Sequence, residues 1–458
     1  MLFRCLIIHL AVSLALCSQG YAQTDAADYF SVPGADAPEL AGRGSHSVGV
    51  RTLELVNPGQ VDILNFDQET GKAPLYDRLL TVEIWYPATI PPGKQERTLY
   101  QSVLPSRLDA RPAGVPIAFE VVGKALRDAP PVKDEQFPLV VVSHGYPGSR
   151  TFLSYLTENL ASKGYVVAAI DHTDSVFGAV KGFQSTLLNR AADQIFTMRA
   201  LEEMSGAADS FLHGLLDASR VAIVGYSMGG YGALASGGAG YSAASGISKS
   251  IPAGYFDKWT AGNSAFEGLH RDNLKAIVAI APWGAQPPQS AWDKDGLAGI
   301  RIPSLFIDGD QDDVSDFEAG VKPAFEGAVN SDRWMLVYEN ARHNVGGNPP
   351  PPEALNDFST RESFDEPVWR KDRITAINQH FITAFLDLHL KGDETRRGYL
   401  DVPVVRSNDG AWPLARGERA GADYSQGAVK EGHTHWKGFQ RRWAVGLQLH
   451  HHAPSLRD

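Results

Sequence analysis

Cysteine is almost absent from this sequence. Its two cysteines, Cys5 and Cys17, both lie within the first 22 residues, which we predict to be removed from the mature chain. The remaining chain then holds no thiol, which excludes a disulfide framework, a cysteine nucleophile and a cysteine metal site. A sequence of 458 residues is long enough to be stabilised by a large hydrophobic core instead.

A surplus of basic residues is also missing. The 42 lysines and arginines are outnumbered by 53 aspartates and glutamates, which gives a net charge of −11. This balance argues against nucleic acid or an anionic membrane as a partner. Beyond the N-terminus, no apolar run is long enough for a transmembrane helix, so stable membrane insertion is not expected either. The oligomeric state stays open.

The N-terminus has the pattern of an export signal. Arg4 supplies positive charge, "CLIIHLAVSLALC" is a short apolar core, and small residues precede a plausible cut after Ala22. We therefore predict that residues 1–22 are a signal peptide and that the protein is periplasmic or secreted. Lipidation at Cys17 is the minor alternative, because Leu16 is bulky where lipoprotein signals carry a small residue.

The first part of the mature chain has two different characters. Residues 23–47 are rich in Ala, Gly, Asp and Pro, and they are predicted to form a flexible lead-in. "VGVRTLELV" and "RLLTVEIWYPA" alternate in polarity, which predicts an antiparallel strand pair at a sheet edge. Residues 91–136 contain many prolines and are predicted to form loop and a short helix.

From Phe137 onward, short apolar runs alternate with helical periods. This alternation predicts βαβ units and a doubly wound, mostly parallel α/β sheet in a domain spanning residues 48–400. The predicted core strands are "PLVVVSHG", "YVVAAIDH", "RVAIVGYS", "LKAIVAIAPW", "IPSLFIDGD" and "RWMLVYENARH". A stripe of apolar residues from Ile374 to Leu388 predicts a closing helix.

Two segments depart from this alternation. Residues 237–270 are a Gly- and Ser-rich insertion with scattered aromatics, which could cap a pocket or form a surface loop. Residues 401–458 form a C-terminal extension in which "RWAVGLQL" could add an edge strand.

"GYSMG", residues 225–229, matches the G-x-S-x-G pattern in which a serine occupies a sharp turn between a strand and a helix. The alternative is an ordinary turn residue. A serine hydroxyl becomes a good nucleophile only beside a base that a carboxylate orients. Asp312 and His343 follow later core strands and can supply these groups to Ser227. Three other carboxylates of the same loop are alternatives for the acid: Asp308, Asp310 and Asp313.

Backbone N–H groups near Ser227 are candidates for an oxyanion hole. Met228 follows the serine directly, and Tyr146 lies in "SHGYPG" after the first parallel strand. Trp283 ends another core strand, and together with Tyr146 it could form an aromatic wall for substrate. The alternative for Trp283 is packing under the insertion.

The chemistry needs no metal or cofactor. His433, His435 and the run His450 to His452 could suggest a metal site, but their spacing fits neither a helical nor a hairpin site. We therefore expect no metal and no cofactor.

These motifs resemble the α/β-hydrolase superfamily, most closely its secreted dienelactone-hydrolase-like esterases and lipases, over about residues 48–400. "VVVSHGYPGSRTF" and "LASKGYVVAAIDHTDS" are similar to platelet-activating-factor acetylhydrolases. That group places its acid after the preceding strand, where this chain has "AIAPW" without a carboxylate. Asp312 instead resembles the acid of cutinase-like polyester hydrolases, which also share the tyrosine, the "GYSMGG" elbow and the A-P-W tryptophan. Those enzymes lack a comparable insertion and tail.

The resemblance implies a serine carboxylesterase acting on a small-molecule or polymeric ester, with small or medium acyl or aryl groups. Two alternatives remain open. The same three residues could serve an acyltransferase or an amidase, and the fold could belong to a non-catalytic binding protein.

Overall fold

The computed structural model describes residues 33–104, 117–267, 269, 271–414, 416–417 and 431–455. The predicted signal peptide lies outside these residues. Within the described ranges, no helix combines the length and the apolar character needed to cross a membrane.

A central sheet organises the described part of the chain. It has ten strands in the order β12-β11-β10-β9-β8-β6-β7-β2-β1-β5, and β3 pairs separately with β4. The neighbours from β7 through β11 run parallel, whereas β1, β2 and β12 join by antiparallel pairing. The strands are β1 Ser47–Val61, β2 Leu75–Ala88, β3 Thr98–Val103, β4 Ala118–Gly123, β5 Leu126–Arg127, β6 Phe137–Ser143, β7 Val166–Asp171, β8 Leu216–Tyr226, β9 Leu274–Ile280, β10 Ser304–Gly309, β11 Arg333–Tyr338 and β12 Leu447–His452. The predicted doubly wound, mostly parallel α/β sheet is confirmed.

Helices cover both faces of this sheet. The helices of the described residues are α1 Ser154–Ser162, α2 Phe183–Gly206, α3 Met228–Ser236, α4 Gly246–Lys249, α5 Ser264–Glu267, α6 Lys294–Leu297, α7 Lys322–Gly327, α8 Phe358–Arg361, α9 Lys371–Lys391 and α10 Arg397–Leu400. Side chains of α1 and α9 pack into one hydrophobic cluster, and those of α2 and α3 pack into another. Two hydrophobic cores therefore sandwich the sheet.

Strand β6 shows why its sequence is a continuous apolar run. Val140 and Val142 belong to the core on the α1 and α9 side, whereas Leu139 and Val141 belong to the opposite core. Successive side chains of a strand point to opposite faces, so a strand with a core on each side needs apolar residues at every position.

The described part of the predicted lead-in is packed instead of flexible. A short 3-10 helix, Glu39–Ala41, lies against α9, and Ala41 is buried. The Leu40 N–H donates to His380 Nδ1 at 3.1 Å, and the Asn159 side chain donates to the Ala41 carbonyl at 2.9 Å. These hydrogen bonds fix backbone groups that composition alone does not assign to partners.

The prediction of a short helix between residues 91 and 136 is wrong for the described residues. This region holds β3 and β4 as a separate antiparallel pair, followed by the two-residue strand β5. Tyr100 and Phe119 bury their rings, and the Tyr100 hydroxyl donates to Glu158 of α1 at 2.6 Å. The pair is stabilised by contacts with α1, which local sequence does not reveal.

The insertion, residues 237–270, belongs to the hydrophobic core on the α2 and α3 side. Tyr241 stacks on Tyr231 of α3 with ring centroids 5.3 Å apart, and Phe256 and Trp259 are also buried. The described residues of the insertion are thus not a simple surface loop. None of them lines the cavity formed by Ser102, Ser149 and Phe177. The aromatic residues of the insertion explain its position. Burial of their rings stabilises the packed segment and offsets the free-energy cost of ordering its many glycines.

The C-terminal extension is also part of the folded unit. Trp436 and Phe439 are buried against Phe381 of α9. The predicted edge strand exists as β12, which begins at Leu447 within "RWAVGLQL", extends three residues beyond it to His452 and pairs antiparallel with β11.

Candidate active site

Ser227 occupies a strained turn between β8 and α3. Its backbone has φ 54° and ψ −114°, which is rare for a residue with a side chain. A β-carbon on Gly225 would lie 2.0 Å from the Gly229 carbonyl oxygen, and one on Gly229 would lie 2.0 Å from the Ser143 carbonyl oxygen. Both glycines are therefore required by close backbone contacts, as the G-x-S-x-G pattern predicts.

His343 lies between Ser227 and Asp312. Its Nε2 atom is 3.0 Å from Ser227 Oγ, and its Nδ1 atom is 2.7 Å from Asp312 Oδ2. All three side chains are largely buried, and the ring of Tyr226 packs against the imidazole with centroids 5.4 Å apart. The structure thus brings together the three residues that the sequence singled out, each just beyond the carboxyl end of a parallel strand.

Asp312 is held as a carboxylate. Its Oδ1 atom accepts the N–H groups of Val314 at 2.7 Å and Ser315 at 2.9 Å. Burial opposes ionisation, but the hydrogen bonds with His343 and these two N–H groups outweigh it and lower the pKa of Asp312 below its usual value. A carboxylate bound to Nδ1 favours the imidazole tautomer whose Nε2 can accept a proton.

The alternative acids lie in other environments. Asp310 is partly exposed and accepts the Asn340 N–H at 2.7 Å, while Asp313 is exposed and pairs with Arg342. Asp308 is fully buried, and neither of its carboxyl oxygens has a hydrogen-bond partner in the described part of the chain. Burial and the nearby Asp312 charge raise the pKa of Asp308 well above its usual value. Among these four carboxylates, the one in hydrogen-bond contact with His343 is Asp312.

Two backbone N–H groups are available near Ser227. Neither the Tyr146 nor the Met228 N–H has an acceptor among the described residues. The loop that carries Tyr146 approaches the nucleophile closely, since a β-carbon on Gly145 would lie 3.2 Å from Ser227 Cβ. Free donors beside a nucleophile are what an oxyanion hole requires.

The predicted aromatic wall contains a third ring. Tyr146 and Trp283 do not stack on each other; Phe183 lies between them, 4.8 Å from the Tyr146 ring and 5.3 Å from the Trp283 ring by centroids. The backbone N–H of Trp283 also donates to the Ser227 carbonyl at 3.2 Å, which places these rings next to the turn that carries Ser227. Sequence reasoning missed Phe183, although its place at the start of α2, in the connection that leaves the carboxyl end of β7, was a usable signal.

A cavity of about 720 Å³ lies next to the loop of Tyr146. Ser102 of β3, Ser149, Phe177 and the proline run before Glu353 contribute to its lining. The Phe152 ring lies between this cavity and the triad of Ser227, His343 and Asp312. Its centroid is 5.8 Å from that of Phe177, which lines the cavity, and 5.8 Å from that of Tyr226, which packs against His343.

The candidate metal ligands of the tail lie elsewhere. His433 and His435 have ring centroids 5.6 Å apart, His451 stacks on Trp334, and His450 contacts Gln448. Across the described residues, no group of three or more His, Cys, Asp or Glu side chains is arranged to hold a metal ion.

Several known proteins are similar in sequence to this chain. Residues 120–205 match the family described as platelet-activating factor acetylhydrolase, isoform II. The chain is 26% identical over 214 residues to cutinase est1 of Thermobifida alba, covering 46% of this chain and 55% of that protein. It is 25% identical over 211 residues to bis(hydroxyethyl) terephthalate hydrolase of Streptomyces coelicolor, covering 46% and 51%. The strand order and these matches support an α/β-hydrolase fold with sequence similarity to carboxylester hydrolases.

Each of these matches spans about half the length of the curated relative. A solved structure of ferulic acid esterase from Streptomyces cinnamoneus aligns with a TM-score of 0.46 and 20% identity, over 79% of this chain and 93% of that one.

Proposed function

We propose that this protein is a periplasmic or secreted serine carboxylesterase that works through an acyl-enzyme. The observation that carries the proposal is the pair of contacts made by His343, 3.0 Å to Ser227 Oγ and 2.7 Å to Asp312 Oδ2. The relatives named as cutinases and as a terephthalate ester hydrolase support ester hydrolysis. The signal-like residues 1–22 support export.

Acylation begins when Ser227 Oγ attacks the ester carbonyl carbon and His343 Nε2 takes the hydroxyl proton. The imidazolium that forms is stabilised by the Asp312 carboxylate, which stays ionised. The carbonyl oxygen becomes an oxyanion and accepts hydrogen bonds from the Tyr146 and Met228 N–H groups. Collapse of this intermediate breaks the bond to the alcohol oxygen, which takes the proton from His343 as it leaves.

Deacylation repeats these steps with water. His343 removes a proton from water, the resulting hydroxide attacks the acyl carbon, and Ser227 recovers its proton as the acid product forms. The reaction therefore needs only groups of this chain, an ester and water.

The surroundings of Ser227 favour esters with an aromatic or apolar group. The rings of Tyr146, Phe183 and Trp283 are partly exposed and form a continuous wall. The 720 Å³ cavity gives room for a longer arm beyond Phe152. We therefore expect small and medium acyl or aryl esters to be substrates.

The decisive experiment is a panel of nitrophenyl esters with wild type, Ser227→Ala and Ser236→Ala. Ser236 is a matched control because it is buried at the end of the same helix and its hydroxyl bonds Gln194 instead of the triad. We expect Ser227→Ala to abolish turnover and Ser236→Ala to retain it. Full activity in Ser227→Ala would contradict the proposal.

Labelling with a fluorophosphonate, followed by peptide mass mapping, tests the nucleophile separately. Label on Ser227 is expected, and label on another serine would overturn the assignment. Binding of an ester without labelling would favour a non-catalytic binding protein. Product analysis with added alcohols and with anilides distinguishes hydrolysis from acyl transfer and amide cleavage.

A further inference from the structure

Arg190 of α2 is a buried cation beneath the candidate oxyanion loop. Its side chain is almost completely inaccessible, and its Nε atom has no hydrogen-bond partner in the described part of the chain. No carboxylate within the described ranges forms an ion pair with it. The neighbouring Arg78, by contrast, pairs with Asp193 at 2.7 Å and with Asp174 at 3.0 Å.

The donors of Arg190 converge on the loop instead. Its Nη1 donates to the carbonyl oxygens of His144, in a short contact, and of Gly145 at 3.3 Å. Its Nη2 donates to Ser175 Oγ at 2.6 Å and lies 3.5 Å from the Gly145 oxygen.

Burial lowers the pKa of Arg190 to about 10, although the nearby Asp174 and Asp193 charges favour its cationic form. Keeping this charge buried is therefore costly, and an apolar side chain of similar length would avoid that cost. A role for the positive charge itself would explain why it is there.

His144 assists from the same side. The backbone N–H of His172 donates to His144 Nε2 at 3.3 Å. Since Nε2 is the acceptor, the proton of the His144 ring belongs on Nδ1. Nδ1 lies 2.7 Å from the Gly145 oxygen and donates to it. Burial, with the nearby Arg190 charge, lowers the pKa of His144 well below its usual value, so the ring is neutral.

These contacts determine where the next N–H points. The bond between Gly145 and Tyr146 is trans, so the Gly145 C=O and the Tyr146 N–H point in opposite directions. Arg190 and His144 hold the carbonyl from beneath. The Tyr146 N–H therefore lies in the same peptide plane and points away from Arg190 and His144, and it has no acceptor among the described residues.

We propose that Arg190 is a positioning residue that orients and polarises the Gly145–Tyr146 peptide, so that the Tyr146 N–H stabilises the oxyanion formed at Ser227. The positively charged guanidinium hydrogen-bonds the carbonyl oxygen and draws electron density from the amide, which makes the N–H of the same peptide a stronger donor. Such a role rests on the proposed esterase function of Ser227. It deepens that function by adding a residue that acts through the Gly145–Tyr146 peptide and touches neither Ser227 nor His343.

The test compares Arg190→Met and Arg190→Lys with Lys163→Met. Lys163 is a matched control because its half-buried amino group also donates to a backbone carbonyl, that of Leu40, and it precedes the amino end of β7, whereas Ser227 follows the carboxyl end of β8. Each variant is assayed for kcat and KM on a nitrophenyl ester. Each is also tested for binding of an aryl boronic acid, whose tetrahedral adduct with serine carries an anionic oxygen.

We expect Arg190→Met to lower kcat on the order of tenfold or more, with KM little changed, because loss of a whole oxyanion donor costs about a hundredfold or more. Affinity for the boronic acid should fall by the same factor. Arg190→Lys should recover part of both losses, since it restores a charge and a donor. Lys163→Met should lower thermal stability without changing either quantity.

The role would be overturned if Arg190→Met lowered stability but matched Lys163→Met in kcat and boronic acid affinity. Should Arg190→Met fail to fold, Arg190→Gln takes its place because it also removes the charge, and wild-type kcat and boronic acid affinity in Arg190→Gln overturn the role as well. An inactive wild type, or an active Ser227→Ala, would instead overturn the esterase function and the role of Arg190 with it. The two failures are therefore distinguishable.

Discussion

Asp308 and Asp312 are four residues apart at the end of β10, yet their carboxyl groups have opposite environments. Asp312 bonds His343 and accepts two backbone N–H groups. Asp308 is fully buried, and its oxygens lack partners among the described residues. One loop thus contains a carboxylate stabilised as an anion and a carboxyl group whose ionisation is opposed.

Replacing Asp312 by Asn should remove the charge that stabilises the His343 imidazolium. We expect kcat on a nitrophenyl ester to fall on the order of a thousandfold or more, because an amide also disturbs the imidazole tautomer. Asp313→Asn is the matched control, since Asp313 is exposed and pairs with Arg342. An equal loss in the two variants would argue against Asp312 as the acid.

Replacing Asp308 by Asn should stabilise the protein at neutral pH. Because the folded-state pKa of Asp308 is raised, the folded protein keeps a proton that the unfolded chain releases above about pH 4. Its contribution to the free energy of unfolding therefore falls as pH rises, by at most about 1.4 kcal/mol per pH unit. Asn removes this dependence.

Urea unfolding of wild type and Asp308→Asn between pH 4 and pH 8 measures this effect. The stability gain of the variant should grow with pH until the folded-state pKa is passed. Asp310→Asn, at a partly exposed position of the same loop, measures the effect of an Asp-to-Asn change without full burial. A gain for Asp308→Asn that is independent of pH would contradict the prediction.

Filling the cavity beyond Phe152 should discriminate between substrates by length. Ser102 lines the cavity, and its hydroxyl lies 3.4 Å from the Ser149 hydroxyl. Ser102→Trp should therefore reduce kcat/KM for long-chain nitrophenyl esters and leave the acetate nearly unaffected. Leu99→Trp, on an exposed side chain of the same strand that does not line the cavity, should change neither. Equal effects on all chain lengths would exclude the cavity as a binding site for the longer arm.

Shortening a buried side chain of β12 tests whether the C-terminal extension stabilises the domain. Leu449 is almost completely buried, so Leu449→Ala should lower the free energy of unfolding by about 2–5 kcal/mol. Gln448→Ala removes a half-buried side chain and its hydrogen bonds with Glu339 and His450, which should cost about 1–2 kcal/mol. Similar small changes in both variants would mean that β12 contributes little to stability.

The core strands and the triad could be predicted for a shared physical reason. Strands buried on both faces are apolar throughout, and functional residues of such sheets follow directly after the strand ends, as Ser227 and His343 do. Position along the chain therefore carried most of this information. The choice of Asp312 over Asp308 depended on which side chain reaches His343, which only the folded loop shows.

Features that depend on distant packing could not be predicted. Arg190 reaches the carbonyl of His144 across 46 residues of sequence. The aromatic residues of the insertion gain their positions from Tyr231, and β3 and β4 gain theirs from α1. In each case the local sequence fits several conformations, and a partner far along the chain selects one.

The two ends of the described chain meet on α9. The Glu39 N–H donates to the Gly438 carbonyl at 2.8 Å, and the Gln440 amide donates to the Ala35 carbonyl at 2.6 Å across 405 residues. Contacts between such distant segments must wait until nearly the whole polypeptide has been synthesised. Until then the apolar side of α9 around Phe381 stays uncovered, a surface that chaperones and proteases can recognise. Burial of Phe381 by Trp436 and Phe439 therefore comes late, after residues 436–439 have joined the growing chain.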